Sequence, residues 1–419
     1  MGRSSEDGVF VGDYRLQMVL ALMFLATLLG SESGLVPVLG WPGPCPTGIF
    51  SFGDSLSDTG AKSNMFPGDD NLPYGEQFFK KPSKRYSNGR LVLDFFALAF
   101  GRKPLLQPYI QNGPFDYRFG VNFAFFGATA SGSAYSTPVN LAAQISQFRQ
   151  FKKNTYREQG CSPYHIKLPT VEVFDDALYT LGIGGNDIMN AALEAQNQSY
   201  VFGHLIPKAM EVVTVGAKSL YDSGARRFLF FTTPSAGCST IILTEFRDKA
   251  ELDSMGCVKF VNENNQAYNA ALRSVVTDLR SQFPDAEMDI FDYYGANVEI
   301  LKNPTAYGFN PEKTMKACCG GSAVGLDRQH ACGTPAAFVC ANPDEHVNWD
   351  GLHFTEQFYR TIAQFVLAGK FSDLGINYSA VCTLDFSFFN SSVTFDQVYP
   401  HSSCEIPQMK ETPLPHSVM

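Results

Sequence analysis

Charge is scarce in this chain. Only 17% of its residues are Asp, Glu, Lys or Arg, against 45% hydrophobic and 13% aromatic. Disorder needs the opposite balance, so the chain folds. A basic excess is missing too. Lys and Arg total 32, Asp and Glu 41, and the net charge is −9. Nothing is present to neutralise a phosphate backbone, and no nucleic-acid partner is expected. No internal repeat or low-complexity tract occurs, and the composition excludes collagen, coiled coil and a small disulfide knot. No apolar run reaches the roughly 20 residues of a bilayer-spanning helix. The cysteines include none of the C-x-x-C pairs that grip a tetrahedral metal. The one glycine-rich loop, Gly182-Ile183-Gly184-Gly185-Asn186-Asp187, has neither the spacing nor the Lys-Ser/Thr of a phosphate cradle. No metal and no organic cofactor is expected.

What is present begins with Leu16 to Gly30, 15 nearly pure apolar residues followed by small ones. That length suits a secretory signal, and residues 1–34 read as a signal peptide. The leading segment holds more acid than base and no clean A-x-A site follows, so a lumenal membrane anchor is the alternative. Both readings export the rest. All ten cysteines lie beyond this segment, an even number that permits full pairing. Cys318, Cys319, Cys332 and Cys340 are expected to staple one long loop, with the two adjacent cysteines reaching different partners. Sequons at Asn197, Asn377 and Asn390 fit the same route as glycosylation sites.

Short apolar runs close on turn residues at Ile49–Phe52, Ala177–Ile183, Arg227–Thr232 and Met288–Tyr293. Each reads as a buried strand. Helical periods separate them: Leu91–Phe100, Leu141–Lys152, Gly203–Ser223, Lys259–Gln282 and Thr355–Ala368. Such alternation predicts βαβ units around a mostly parallel sheet of about five strands, covered on both faces. The expected domain covers residues 45–370, and residues 371–419 read as an irregular strap and tail. Sites in such sheets lie beyond the carboxyl ends of strands, so the residues just after each run matter most.

Four segments there carry chemistry. Ser55, in Phe52-Gly53-Asp54-Ser55-Leu56-Ser57-Asp58-Thr59-Gly60, sits on a strand-to-helix turn that would expose its Oγ near a helix N-terminus. Its plain alternative is a helix cap. Asp350 and His353, in Asp350-Gly351-Leu352-His353, are spaced so that the carboxylate can reach the imidazole Nδ1–H and leave Nε2 free to take a proton. The alternative is a solvated loop histidine beside a capping Asp. Asn186 offers a neutral amide donor, and Gly127, in Gly120-Val121-Asn122-Phe123-Ala124-Phe125-Phe126-Gly127-Ala128, a backbone N–H. A tight turn and close packing are their bland readings.

Taken together, FGDSLSDTG, NFAFFGATA, GIGGND and DGLH resemble the four blocks of the GDSL esterase/lipase family, the SGNH hydrolases. SNGRLVLDF, NPTAYGF and ACCG resemble its plant secreted branch, and the likeness runs from about Ile49 to Lys370. The resemblance implies a flavodoxin-like three-layer α/β/α fold. It also implies a catalytic set of Ser55 as nucleophile, His353 as base and Asp350 as acid. The Ser55 and Gly127 N–H groups and the Asn186 amide would bind the oxyanion. Two departures stand out: Ala61 where Asn often follows D-T-G, and Phe125-Phe126 where smaller residues are common, which would narrow the pocket near Gly127. The α/β-hydrolase alternative needs G-x-S-x-G, which is not what surrounds Ser55.

The expected activity is hydrolysis of a carboxylic ester on an acylated carbohydrate, phenolic or lipid carrier, in the cell wall or, if anchored, a Golgi-like lumen. No obvious exposed apolar helix suits a lipid surface, which favours acetyl or other short acyl groups on a polar carrier. An acyltransferase using the same serine, and a non-catalytic carbohydrate- or protein-binding relative, are the rival readings.

Overall fold

The computed structural model describes residues 45–68, 71–111, 115–132, 137–157, 167–320, 331–390 and 392–393. The signal segment 1–34, Cys161, Cys404 and the tail from 394 lie outside the described residues.

Five parallel strands form the central sheet: β1 (Ile49–Gly53), β2 (Gly120–Asn122), β3 (Leu178–Gly182), β4 (Arg227–Phe231) and β5 (Glu287–Phe291), in the order β2-β1-β3-β4-β5. β1 is buried at every residue, as its unbroken apolar run requires of a strand covered on both faces. Alternate residues sort to opposite faces. Phe50 and Phe52 meet Phe148, and Tyr179 meets Phe228, on the face that carries helices at Leu141–Arg157, Ile206–Asp222 and Lys259–Gln282. On the other face Phe231 and Phe291 meet Tyr293, which stacks on Phe358 in the helix Glu356–Leu367. These are the three layers of an α/β/α fold.

The strand ends that frame the site are in register: Gly53 lies beside Gly182, and Gly182 beside Phe231. The chain leaves β1 toward β2 on one side and returns to β3 on the other. The switch point, where doubly wound sheets open a crevice, therefore falls between β1 and β3.

Four expected strands match β1, β3, β4 and β5 within a residue or two, except that Tyr293 opens a helix (Tyr293–Lys302) instead of ending β5. β2 was not foreseen: it has three residues, including Gly120 and an inward polar Asn122. The expected helix from Gly203 starts regular winding at Ile206, after a wider turn over Val201–Leu205.

Disulfides join Cys45 to Cys382, Cys238 to Cys257, Cys318 to Cys340 and Cys319 to Cys332. The loop cysteines are thus consumed as two separate bridges. A zinc-binding reading of them is excluded, because a metal needs thiolates. The described part of the segment after 370 lies on the domain: Ser372 Oγ donates to Asp289, Asp385 N–H to the Ala99 carbonyl, and Arg360 to the Phe389 carbonyl.

Among the described residues no helix is long and apolar enough to cross a membrane.

Candidate active site

The turn after β1 is held from below and from within. Gln144 clamps Gly53, accepting its N–H at 2.9 Å and donating to its carbonyl at 2.8 Å. Inside the turn, the Asp54 carbonyl accepts Ser57 and Asp58 N–H at 3.0 Å each, and Asp54 Oδ1 accepts Leu56 N–H at 3.0 Å. Ser55 takes no part in this bracing. It does not cap a helix, and the expected helix N-terminus does not begin at it. The next helix is the five-residue Ala61–Met65, and Asp58 serves its start by accepting Gly60, Ala61 and Lys62 N–H. Asp58 Oδ2, the oxygen that accepts Lys62 N–H, also accepts Phe126 N–H at 2.9 Å, which fixes the segment carrying Gly127 to the serine turn.

After β3 comes a strand-to-helix turn. Gly184 has φ of 113°, and a Cβ there would lie 2.1 Å from the Tyr268 ring, so only glycine fits. The helix Gly185–Leu193 follows and puts Asn186 in its first turn. The Asn186 amide gives one hydrogen to the Ala128 carbonyl at 2.9 Å, and among the described residues its second has no acceptor. Asp187 accepts Ala130 and Ser131 N–H, binding the same two loops together.

The Asp350–His353 turn comes off the disulfide loop. Cys318 N–H donates to the Asn348 carbonyl and Cys319 N–H to the Trp349 carbonyl, so the two bridges steady the turn directly. Asp350 Oδ1 accepts Leu352 N–H at 3.0 Å and His353 N–H at 2.8 Å; Oδ2 faces His353 Nδ1 at 2.7 Å. The capping alternative fails, because Thr355 caps the following helix. His353 is not a solvated loop residue either: it is 3% exposed and its ring packs on Tyr86 and Phe126.

Ser55, Asn186 and His353 line one cleft of about 720 Å³, its open mouth included. No hydrogen bond joins Ser55 to His353, in keeping with how often such bonds are long before a substrate tightens them. Among the described residues neither the Ser55 nor the Gly127 N–H has an acceptor. Gly127 does not itself line the cleft. It follows Phe126, which does, and it holds φ of 74°. Of the two phenylalanines that depart from the family pattern, Phe126 lines the cleft, whereas Phe125 is in the core.

Burial alone would raise Asp350's pKa, but the His353 charge and hydrogen bonds outweigh it, and the carboxyl ionises below its ordinary value. Asp54 behaves oppositely. Burial pushes it up to about 7, against the Leu56 N–H and the charge of His353, with Asp187 adding to the rise. Unfolded, this carboxyl ionises near 3.8. Between those values folding takes up a proton, so Asp54's contribution to stability falls as pH rises and is fully adverse above about 7. Asp54→Asn keeps the Leu56 acceptor and removes the charge. It should stabilise the fold by on the order of 2–4 kcal/mol at pH 8 and by almost nothing near pH 4. Urea unfolding at both pH values checks this; an equal effect at the two would show that the charge is not the cause.

Sequence reasoning missed Tyr74. Its hydroxyl donates to Asp350 Oδ2 at 2.8 Å, the oxygen that also faces His353. Burial, then the Asp350 charge, hold the phenol well above its ordinary pKa, so it stays a donor. Part of the carboxylate's charge is thereby drawn away from the imidazole. Tyr74→Phe should leave more of the carboxylate's charge facing the imidazole and move the acid limb of kcat/KM toward higher pH. The plateau should fall by about 10–150-fold, the worth of one charge-assisted hydrogen bond. A loss of rate with an unmoved limb would reduce Tyr74 to a packing residue.

Fold and site together define the class, an α/β/α hydrolase with its cleft at the switch point of a parallel sheet. The chain belongs to the GDSL-like lipase/acylhydrolase family, whose profile matches residues 49–366. An esterase of Hevea brasiliensis is 34% identical over 357 residues, covering 80% of this chain and 88% of the relative. Acetylajmalan esterase 2 of Rauvolfia serpentina is 32% identical over 349 residues, covering 79% and 92%. Among solved structures, the acetylxylan esterase Axe2 of Geobacillus stearothermophilus is similar at a TM-score of 0.35 and 11% identity, covering 77% of this chain and 93% of that one. The protein is a carboxylic-ester hydrolase.

Proposed function

We propose that the cleft cleaves acyl esters through a covalent acyl-enzyme on Ser55. His353 takes the serine proton through Nε2 as Ser55 attacks the carbonyl, then returns it to the leaving alcohol. Asp350 holds the tautomer with its proton on Nδ1 and stabilises the imidazolium. The Ser55 and Gly127 N–H groups and the remaining Asn186 amide hydrogen receive the oxyanion. Water then cleaves the acyl-enzyme, and no metal or organic cofactor takes part. The observation that carries this reading is the 2.7 Å contact between Asp350 and His353 at the edge of a cleft that Ser55 also lines.

The substrate is an acylated carbohydrate, phenolic or lipid ester met along the secretory route or outside the cell. Four disulfides support that route. So do sequon residues Asn197, Asn377 and Asn390, all exposed and open to glycosylation.

The test is to assay the purified protein on acetyl-xylan, a phenolic ester and a triglyceride, with and without an added alcohol. Free acid should appear without the alcohol. Acyl transfer with no free acid would identify an acyltransferase, and no turnover with any ester a binding relative.

A further inference from the structure

Beside the cleft lies a second chamber, of about 480 Å³ with its mouth included. Leu56, Val92, Leu93, Ile183, Phe231 and Tyr293 give it apolar walls, and it shares Asp54, Leu56, Gly185 and Pro234 with the cleft. No residue of the Val347–Phe354 turn reaches it, although five of them line the cleft.

That asymmetry decides which half of an ester each space can hold. The leaving oxygen must lie within reach of His353, which protonates it, so the alcohol occupies the side of the histidine turn. The carbonyl oxygen is taken by the N–H groups and Asn186. The acyl chain is the remaining substituent, and it must leave the carbonyl away from His353; Ser55 and Asn186 do not line the second chamber, but their neighbours Asp54, Leu56 and Gly185 line both spaces, on the side without the histidine turn. We infer that this chamber is the acyl subsite and that it takes an apolar acyl group of four or more carbons rather than acetyl alone. The inference rests on the esterase reading of Ser55 and deepens it.

Each methylene buried there is worth about fourfold in kcat/KM. With the alcohol held constant, kcat/KM should therefore rise at least about tenfold from the p-nitrophenyl acetate to the butanoate and hexanoate. Gly182 allows the chamber to be filled. A Cβ there would meet nothing closer than the Phe231 Cβ at 3.5 Å, and the residue is at the end of a strand, where valine is at home. Gly182→Val should lower the hexanoate-to-acetate ratio about tenfold, and Phe231→Ala should move the preference toward longer chains. A flat or falling chain-length series in the wild-type protein would overturn the inference while leaving the esterase reading intact. So would an unchanged ratio in Gly182→Val. If no ester is hydrolysed in a Ser55-dependent way, the esterase reading itself fails, and the acyl subsite with it. Should Gly182→Val not fold, the wild-type series and Phe231→Ala still decide.

Discussion

Ser55→Ala should fold as the wild-type protein does and lose ester hydrolysis by several orders of magnitude. The folding half follows from the bracing of the turn. Gln144 holds Gly53, and the Asp54 carbonyl and carboxylate hold Leu56, Ser57 and Asp58; no side-chain hydrogen bond of Ser55 contributes. Losing one hydroxyl from a residue that is 7% exposed changes little packing. The catalytic half follows from the lack of a free substitute: Ser235 and Ser239 also line the cleft, but their hydroxyls are committed to Asn297 Oδ1 and the Ala236 carbonyl. Leu56 is apolar, and Ser57, although it lines the neighbouring chamber, does not line the cleft with His353. Removing a nucleophile from a serine protease costs about 10⁶ in kcat, leaving what the oxyanion hole and binding supply. Steady-state kinetics and a thermal melt on the same preparation check both halves. Turnover above a tenth of wild type would assign the chemistry to another group.

Much of this arrangement is legible in the sequence, for definite reasons. β1, β3, β4 and β5 announce themselves because a parallel strand buried on both faces must be apolar throughout. The serine, glycine-rich and histidine segments stand out because each follows such a run or closes before a helix. What stays hidden depends on pairs distant in the chain. Gln144 reads as one polar residue in an amphipathic helix, yet it clamps Gly53 across 91 positions; Tyr74 meets Asp350 across 276. β2 is too short to show a period. The second aspartate of the serine motif looks like an ordinary turn former until Phe126 is seen to share it. The paired bridges at Cys318 and Cys319 were foreseeable as staples. That they steady the acid–base turn was not, since it rests on backbone hydrogen bonds to Asn348 and Trp349.

The largest test of the acid is Asp350→Asn, for which the geometry dictates the direction. Oδ1 accepts two backbone N–H groups, so an amide at this position must keep its oxygen there. Its NH₂ then replaces Oδ2 and points at His353 Nδ1 and the Tyr74 hydroxyl. To pair with that donor, Nδ1 must become an acceptor, and the ring proton moves to Nε2, the nitrogen that should take the serine proton. The counter-charge to the imidazolium is lost as well. Both effects persist at high pH, so kcat/KM should be depressed by roughly 10³–10⁴ across pH 5–9, comparable with the about 10⁴ seen for the corresponding change in a serine protease. In the wild type, kcat/KM should fall on the acid side, since the imidazole must be neutral to accept the serine proton. Asp54, which ionises near 7 in the same cleft, is a second titrating group there, so the Asp54→Asn profile is needed to attribute that limb to the imidazole. A loss of less than about tenfold in Asp350→Asn would leave a Ser–His dyad. Asp350 would then serve to shape the turn through Leu352 and His353 N–H, with some other acceptor orienting the histidine.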